Sequence, residues 1–112
     1  MSEERTNVGG IEVATGHFIN NERVFSAATF EDRSPLEWTL KLADVARGTS
    51  LEADLAISAA RDAFPDWSGR HVKERGHYLR RLADLIEDNV ERLAIVECLD
   101  MAMLETDRKS VV

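Results

Sequence analysis

The 112-residue chain has a single cysteine, Cys98, so it cannot form an internal disulfide. Chains without disulfides are typical of reducing compartments, and we expect a cytoplasmic protein. Long apolar runs are missing as well: no stretch is long enough to span a membrane, and the opening "MSEERTNVGG" has no apolar signal-peptide core. Positive charge is in deficit, with 14 Lys and Arg against 21 Asp and Glu. The resulting net charge of −7 argues against nucleic acid or an acidic membrane surface as a partner.

Glycine and histidine are sparse, and their spacing predicts no phosphate loop or metal site. The six glycines are scattered, without G-x-G-x-x-G or G-x-x-x-x-G-K. His71 and His77 would fall on different faces of a helix, and His17 has no candidate ligand nearby, so we interpret all three as surface residues. Cys98 is a candidate nucleophile. It has no activating neighbour in the sequence, and the favoured interpretation is a small buried hydrophobe. We therefore predict no catalytic, cofactor-binding or metal-binding residue.

One basic stretch, "RHVKERGHYLRR", is a candidate phosphate or nucleic-acid patch. Asp84 follows it at i, i+4 and i, i+3 spacing from Arg80 and Arg81, so we expect part of the charge to be paired locally. That pairing disfavours a nucleic-acid role. The basic residues of the stretch are Arg70, Lys73, Arg75, Arg80 and Arg81, against one acid, Glu74.

The composition is that of a globular protein, with 44% hydrophobic and 31% charged residues. A length of 112 residues allows one domain at most. Residues 1–15 are polar and are predicted to form a flexible leader before the structured part, residues 16–112. In "HFINNERVF" the pair Asn20-Asn21 separates two apolar pairs, which predicts a β-hairpin. "ATFEDRSP" is a third extended piece. "LKLADVARG" is strand-like, although its alternation slips at Leu42-Ala43.

Helical signals fill the second half of the chain. Thr49 and Glu52 fit a capping box, and Pro65 is predicted to stop the first helix because proline lacks an amide proton. The first helix carries a narrow apolar stripe suited to packing against another helix (Leu51, Leu55, Ala59 and Ala63, with Ala56 and Ala60 beside them). The second carries a broad apolar face (Tyr78, Leu79, Leu82, Ala83, Leu85 and Ile86).

A break at Asp88-Asn89 predicts a third helix, with Asn89 as its cap. Its expected buried side consists of Val90, Leu93, Ala94 and either Cys98 or Val96. The predicted class is α+β, a fragment of an α/β fold in which a β-hairpin and extended strands precede two or three packed helices.

The ordered set of these segments resembles the N-terminal segment of the aldehyde dehydrogenase superfamily over residues 16–107. The segments are "HFINNERV", "TFEDRSP", "LADVARGTSLEADLAISAARDAFPDWSG" and "ERGHYLRRLADLIEDNVERLAIVECLD". The sequence is also similar to bacterial members that oxidise semialdehydes from aromatic-ring breakdown. Several positions depart from the family pattern: Asn21 replaces glycine, Ser34 replaces asparagine before proline, His71-Val72 replaces Ser-Pro, and "DMAML" replaces Asp-x-Gly-Lys-Pro.

The resemblance implies an enzyme that oxidises an aldehyde to an acid with NAD or NADP, using a cysteine thiolate and a general-base glutamate. It also implies that the cofactor loop, the nucleophile and the base lie outside these 112 residues, because Cys98 does not match the nucleophile's motif. In that family the Phe64–Trp67 corner joins two helices, and its aromatics would be covered partly by chain that is absent here.

Three hypotheses follow. The first is an N-terminal fragment of an aldehyde dehydrogenase that is inactive, binds no cofactor alone and is marginally stable or self-associating. The second is a non-enzymatic helical module that docks on a full-length relative. The third, an autonomous small enzyme using Cys98, is the least favoured. We adopt the first.

Overall fold

The computed structural model describes residues 4–102, in which six short strands precede three helices. This arrangement confirms the predicted α+β class. The strands are β1 (Arg5–Val8), β2 (Ile11–Ala14), β3 (His17–Ile19), β4 (Glu22–Val24), β5 (Thr29–Arg33) and β6 (Lys41–Ala46). The helices are α1 (Ser50–Gly69), α2 (Val72–Asp88) and α3 (Val90–Met101). No helix within the described residues is long and apolar enough to cross a bilayer.

The strands pair consecutively into three antiparallel hairpins, β1–β2, β3–β4 and β5–β6. The first of these hairpins occupies residues 5–14, where the sequence predicts a flexible leader. Gly9 and Gly10 make the turn, with φ of 57° and 86°, and the Gly10 amide donates to Asn7 Oδ1 at 3.0 Å. The glycine pair therefore supplies the two positive φ angles that a tight two-residue hairpin needs.

The hairpin predicted around Asn20-Asn21 is confirmed as β3–β4. Both asparagines have positive φ, 51° and 63°. Asparagine tolerates this left-handed conformation better than most residues, so Asn21 replaces the family's glycine without breaking the turn.

The slip in alternation at Leu42-Ala43 is a β-bulge in the β5–β6 hairpin. Asp32 pairs with Ala43 and Arg33 pairs with Lys41, which leaves Leu42 as the extra residue. Leu42 and Ala43 are both buried, 6% and 7% exposed, although they are consecutive. The bulge lets two adjacent side chains enter the core, which a regular strand does not permit.

Helix α1 begins at the predicted capping box. The Glu52 carboxylate accepts from the Thr49 amide at 2.7 Å, and the Leu51 amide donates to the Thr49 hydroxyl at 3.2 Å. Hydrogen bonds from the Thr49 hydroxyl and amide lower the pKa of Glu52 to about 2.

The prediction that Pro65 stops this helix is wrong, because α1 continues to Gly69. Proline removes one amide donor, but the turn beyond it has stabilising contacts of its own. The Arg70 amide donates to the Trp67 carbonyl at 3.2 Å, and the Arg70 guanidinium pairs with Asp66 at 2.9 Å. The break between α1 and α2 therefore falls at Arg70 and His71.

Both ends of α2 are closed by side chains. At its start His71 Nδ1 accepts from the Lys73 amide at 3.1 Å, which replaces the cap expected from a serine. At its end Asn89 Nδ2 donates to the Leu85 carbonyl at 2.8 Å. Asn89 occupies the N-cap position of α3 but makes no side-chain capping hydrogen bond there, so the predicted role of its side chain is wrong.

Helix α3 ends where the sequence departs from the family at "DMAML". Ala102 is left-handed, with φ of 57°, and its amide donates to the Cys98 carbonyl at 3.0 Å. Residues 103–104 of this segment lie outside the described residues.

The core is small and lies where α3 covers the strands. Ser34 is fully buried; its hydroxyl donates to the Leu99 carbonyl at 2.7 Å and accepts from the Leu36 amide at 3.3 Å. A hydroxyl at this position thus joins the end of β5 to α3. The buried apolar residues of the described chain are Val8, Leu42, Ala43 and Ala94.

Substitution of Gly9 tests how closely α3 approaches the first hairpin. A Cβ at Gly9 would lie 2.8 Å from side-chain carbons of Ile95 and Leu99, whereas a Cβ at Gly10 meets nothing within 4 Å. Both alanine variants carry the cost of a left-handed residue, about 1–2 kcal/mol. We expect Gly9→Ala to lower the free energy of unfolding by roughly a further 1–3 kcal/mol.

Urea denaturation followed by circular dichroism measures both variants, and Gly10→Ala is the matched control. Equal losses of stability in the two variants would show that α3 does not rest on this turn.

Candidate functional site

The alanine stripe of α1 faces a hairpin and not another helix. Ala56, Ala59, Ala60 and Ala63 line a shallow cleft of about 310 Å³ together with residues 18–20 of the β3–β4 hairpin. Within the described residues this stripe therefore borders β3 instead of a second helix, and most of it is exposed. Alanine side chains are small, so they allow the backbone of either a helix or a strand to approach closely.

The broad apolar face predicted for α2 is present but is largely uncovered within the described chain. Leu79 and Leu82 are 61% and 53% exposed, and Leu85 and Tyr78 are also exposed. On α3 the expected buried side is only partly buried: Ala94 is 3% exposed, but Leu93 is exposed. Uncovered apolar faces of this kind mark surfaces that bind other protein.

The corner between α1 and α2 is built around Arg70. Its Nη1 donates to the Tyr78 hydroxyl at 2.7 Å and also pairs with Glu74 at 3.0 Å. The Trp67 and Tyr78 rings meet edge to face with centroids 5.8 Å apart. Phe64 remains 65% exposed. Its coverage by chain outside these 112 residues stays a prediction.

The pairing expected in the basic stretch occurs at a different arginine. Arg70 forms ion pairs with Asp66 and Glu74. In the part of the chain that the structure describes, Arg80 and Arg81 form no ion pair with Asp84, so that prediction is wrong. Arg70 is held in place at the α1–α2 corner because its Nε and Nη2 both donate to Asp66 Oδ2, whereas Arg80 and Arg81 extend from an exposed helix surface.

The histidines and the cysteine lie apart from one another. His17 Nε2 lies 2.6 Å from Ser26 Oγ, His71 caps α2, and His77 is exposed on α2. Cys98 is half-buried on α3. Between residues 4 and 102 no group of three or more His, Cys, Asp or Glu side chains is arranged to hold a metal ion.

The helix starts of this chain do not fit a dinucleotide. A pyrophosphate binds at a helix N-terminus whose amides are free and whose surroundings are not negative. Each described helix instead carries an acid in its first turn: Glu52 in α1, Glu74 in α2 and Glu91 in α3. In α1 that acid is already engaged with the capping threonine, Thr49.

Two carboxyl groups meet where the β5–β6 hairpin contacts α3. Asp32 on β5 and Asp100 on α3 line one cavity of about 210 Å³. Burial, followed by a hydrogen bond and charge repulsion from Asp100, raises the pKa of Asp32 to about 6. The two residues are far apart in sequence and neither carries a motif, so the sequence alone indicates no acid pair.

This pair predicts a pH dependence of stability. The unfolded chain releases the Asp32 proton near pKa 3.9, whereas the folded chain holds it up to about 6. Between about pH 4 and pH 6 the folded state binds more protons, so the free energy of unfolding falls as pH rises. We expect Asp32→Asn to abolish this decrease.

Urea denaturation at a series of pH values between about 4 and 7 measures the effect, with Asp54→Asn on exposed α1 as the control. If the free energies of unfolding of the wild type and of Asp32→Asn change in parallel across this range, the carboxyl pair does not hold a proton in the folded chain.

Known proteins are similar to this chain in both sequence and fold. The profile of the Aldehyde dehydrogenase family matches residues 24–111. The 5-carboxymethyl-2-hydroxymuconate semialdehyde dehydrogenase of Escherichia coli is 37% identical over 95 residues, which is 85% of this chain and 20% of that protein. The NADP/NAD-dependent aldehyde dehydrogenase PuuC of Escherichia coli K12 is 44% identical over 87 residues, covering 74% of this chain and 17% of PuuC.

Solved structures agree with these sequence matches. HpcC from Thermus thermophilus superimposes with a TM-score of 0.83 at 34% identity, over 93% of this chain and 23% of HpcC. The betaine aldehyde dehydrogenase of Staphylococcus aureus, solved with NAD+, superimposes with a TM-score of 0.81 at 32% identity, over 87% of this chain and 20% of that enzyme. The chain spans about a fifth of the length of the curated relatives it matches. Because the family profile covers most of its residues, the chain belongs to the aldehyde dehydrogenase family.

Proposed function

We propose that this chain is the N-terminal part of an NAD(P)-dependent dehydrogenase that oxidises an aldehyde, specifically a semialdehyde, to a carboxylic acid. The similarity to a semialdehyde dehydrogenase over 85% of the chain supports the substrate class. The nicotinamide cofactor is supported by the names of two relatives, one described as NADP/NAD-dependent and one solved with NAD+.

The role of these residues in such an enzyme is to form a scaffold on which further polypeptide packs. The observation that supports this role best is the exposure of the α2 face, where Leu79 and Leu82 are more than half exposed. Covering each large apolar side chain contributes about 1.5–3 kcal/mol, so such a face stabilises whatever folds over it. The α1–α2 corner adds a second exposed apolar side chain, Phe64.

The chain alone is expected to be inactive. Its helix starts do not fit a dinucleotide, and Cys98 lies on a helix with no histidine beside it in sequence. We expect no reduction of NAD+ or NADP+ in the presence of 5-carboxymethyl-2-hydroxymuconate semialdehyde or a simple aldehyde. Absorbance of the reduced nicotinamide is the measurement, and turnover that disappears in Cys98→Ser would instead support the small-enzyme hypothesis.

A complementation experiment tests the proposed role of the chain by a gain of activity. The Escherichia coli semialdehyde dehydrogenase lacking the segment that matches this chain is mixed with the chain during refolding. Restored oxidation of the semialdehyde supports the proposal. A chain that binds the truncated enzyme without restoring activity supports the second hypothesis, a non-enzymatic module that docks on a relative.

The same exposed face predicts self-association of the isolated chain. We expect Leu79→Gln combined with Leu82→Gln to shift the chain towards monomer, because the substitutions remove apolar surface from the contact. Sedimentation velocity measures the change. The matched control is Arg81→Gln with Asp84→Asn, which alters polar positions of α2 and preserves net charge.

A wild-type chain that is monomeric and melts in one sharp cooperative transition would contradict this prediction. It would also show that the exposed α2 face needs no covering.

A further inference from the structure

A groove of about 500 Å³ lies between the β1–β2 hairpin and the junction of α2 with α3. This volume falls in the range of roughly 300–1,000 Å³ that is typical of small-molecule sites. Both sides of the groove contribute branched apolar side chains: Ile11 and Val13 from β2, and Leu85, Ile86, Leu93 and Val96 from the helices.

The charged residues that line the groove are mainly basic. Arg5, Arg23 and Arg92 line it, against one acid, Glu12. This excess of positive charge stands out on a chain whose net charge is −7. The lining of the groove therefore has a local excess of positive charge, which attracts an anion.

Two of the arginines are not neutralised by a carboxylate. Within residues 4–102 neither Arg23 nor Arg92 forms an ion pair. The guanidinium of Arg23 lies 4.9 Å from the centre of the Phe18 ring. A cation–π contact of this kind orients a guanidinium but leaves its charge and its hydrogen-bond donors available.

We propose that this groove binds an amphipathic carboxylate, with the apolar tail between β2 and the helices and the carboxylate at Arg23 and Arg92. A guanidinium binds a carboxylate through charge-assisted hydrogen bonds, which are stronger than neutral ones. The apolar lining then selects acids that carry a hydrocarbon or aromatic tail. The proposal concerns residues of this chain alone and does not depend on the dehydrogenase role.

The test uses the full chain and decanoate as the probe, kept below its micelle concentration, with 1-decanol as the neutral match. We expect one decanoate per chain by titration calorimetry, and about tenfold weaker binding of decanol. Backbone amide shifts in NMR should change at β2 and at the α2–α3 junction. Added salt should weaken decanoate more than decanol, because it screens the charge at the rim.

Variants distinguish binding through the guanidinium groups from non-specific apolar binding. Arg23→Gln with Arg92→Gln should lower the affinity for decanoate about tenfold and leave the affinity for decanol unchanged. The matched control, Arg61→Gln with Arg80→Gln, removes the same charge from helix surfaces outside the groove and should have no specific effect. Glu12→Gln should strengthen decanoate, since it removes the one acid that lines the groove.

Several results would overturn the proposal. Decanol that binds as tightly as decanoate, or equal weakening by the two arginine pairs, would mean that the charge at the groove is irrelevant. Amide shifts spread along the exposed faces of α1 and α2 would mean adsorption to apolar surface. Absence of decanoate binding in the chain that carries Leu79→Gln and Leu82→Gln, in which self-association through α2 is removed, would mean that the groove binds no carboxylate. If the Arg23 and Arg92 variant does not fold, the decanoate-to-decanol ratio and Glu12→Gln decide the question.

Discussion

The contact between α3 and the strands is the constraint on which the rest of this structure depends. It contains the few buried apolar residues of the described chain and the fully buried Ser34, whose hydroxyl donates to the Leu99 carbonyl at 2.7 Å. A buried hydroxyl without a partner would cost about 1–3 kcal/mol, so this hydrogen bond specifies how α3 lies on the end of β5. The β-bulge at Leu42 and the close approach of Gly9 to α3 serve the same contact from neighbouring hairpins.

Away from this contact the chain buries little of its apolar surface. Helices α1 and α2 meet at a corner held by Arg70, Trp67 and Tyr78, and the outer faces of both helices are exposed. Such an imbalance, one small core beside two uncovered helical faces, agrees with a chain that spans about a fifth of the length of its relatives. The groove bordered by Arg23 and Arg92 includes Leu85 and Leu93 of these exposed faces, but apolar residues of β2 lie opposite them and cationic residues line the groove as well.

Local features of the fold could be predicted from the sequence because neighbouring residues determine them. The Asn20-Asn21 turn needs only two residues that accept positive φ, and the capping box of α1 needs only Thr49 and Glu52. Two predictions failed where a local rule met a competing contact. Pro65 does not end α1, because contacts of Arg70 stabilise the following turn. Asn89 does not cap α3, because its side chain closes α2.

The sequence by itself determined the family, the α+β class and the order of strands and helices from β3 onwards, since these follow from motifs and periodicities along the chain. It did not indicate the first hairpin, which occupies the predicted leader. Only the tertiary structure brought Asp32 against Asp100, buried Ser34 beneath α3 and assembled the arginines around the apolar groove. Those juxtapositions join residues that are distant in sequence, and nothing in a residue's own neighbourhood encodes which distant group it will meet. Packing of α3 against the hairpins decides them, because a single rigid contact sets the position of every side chain along that helix.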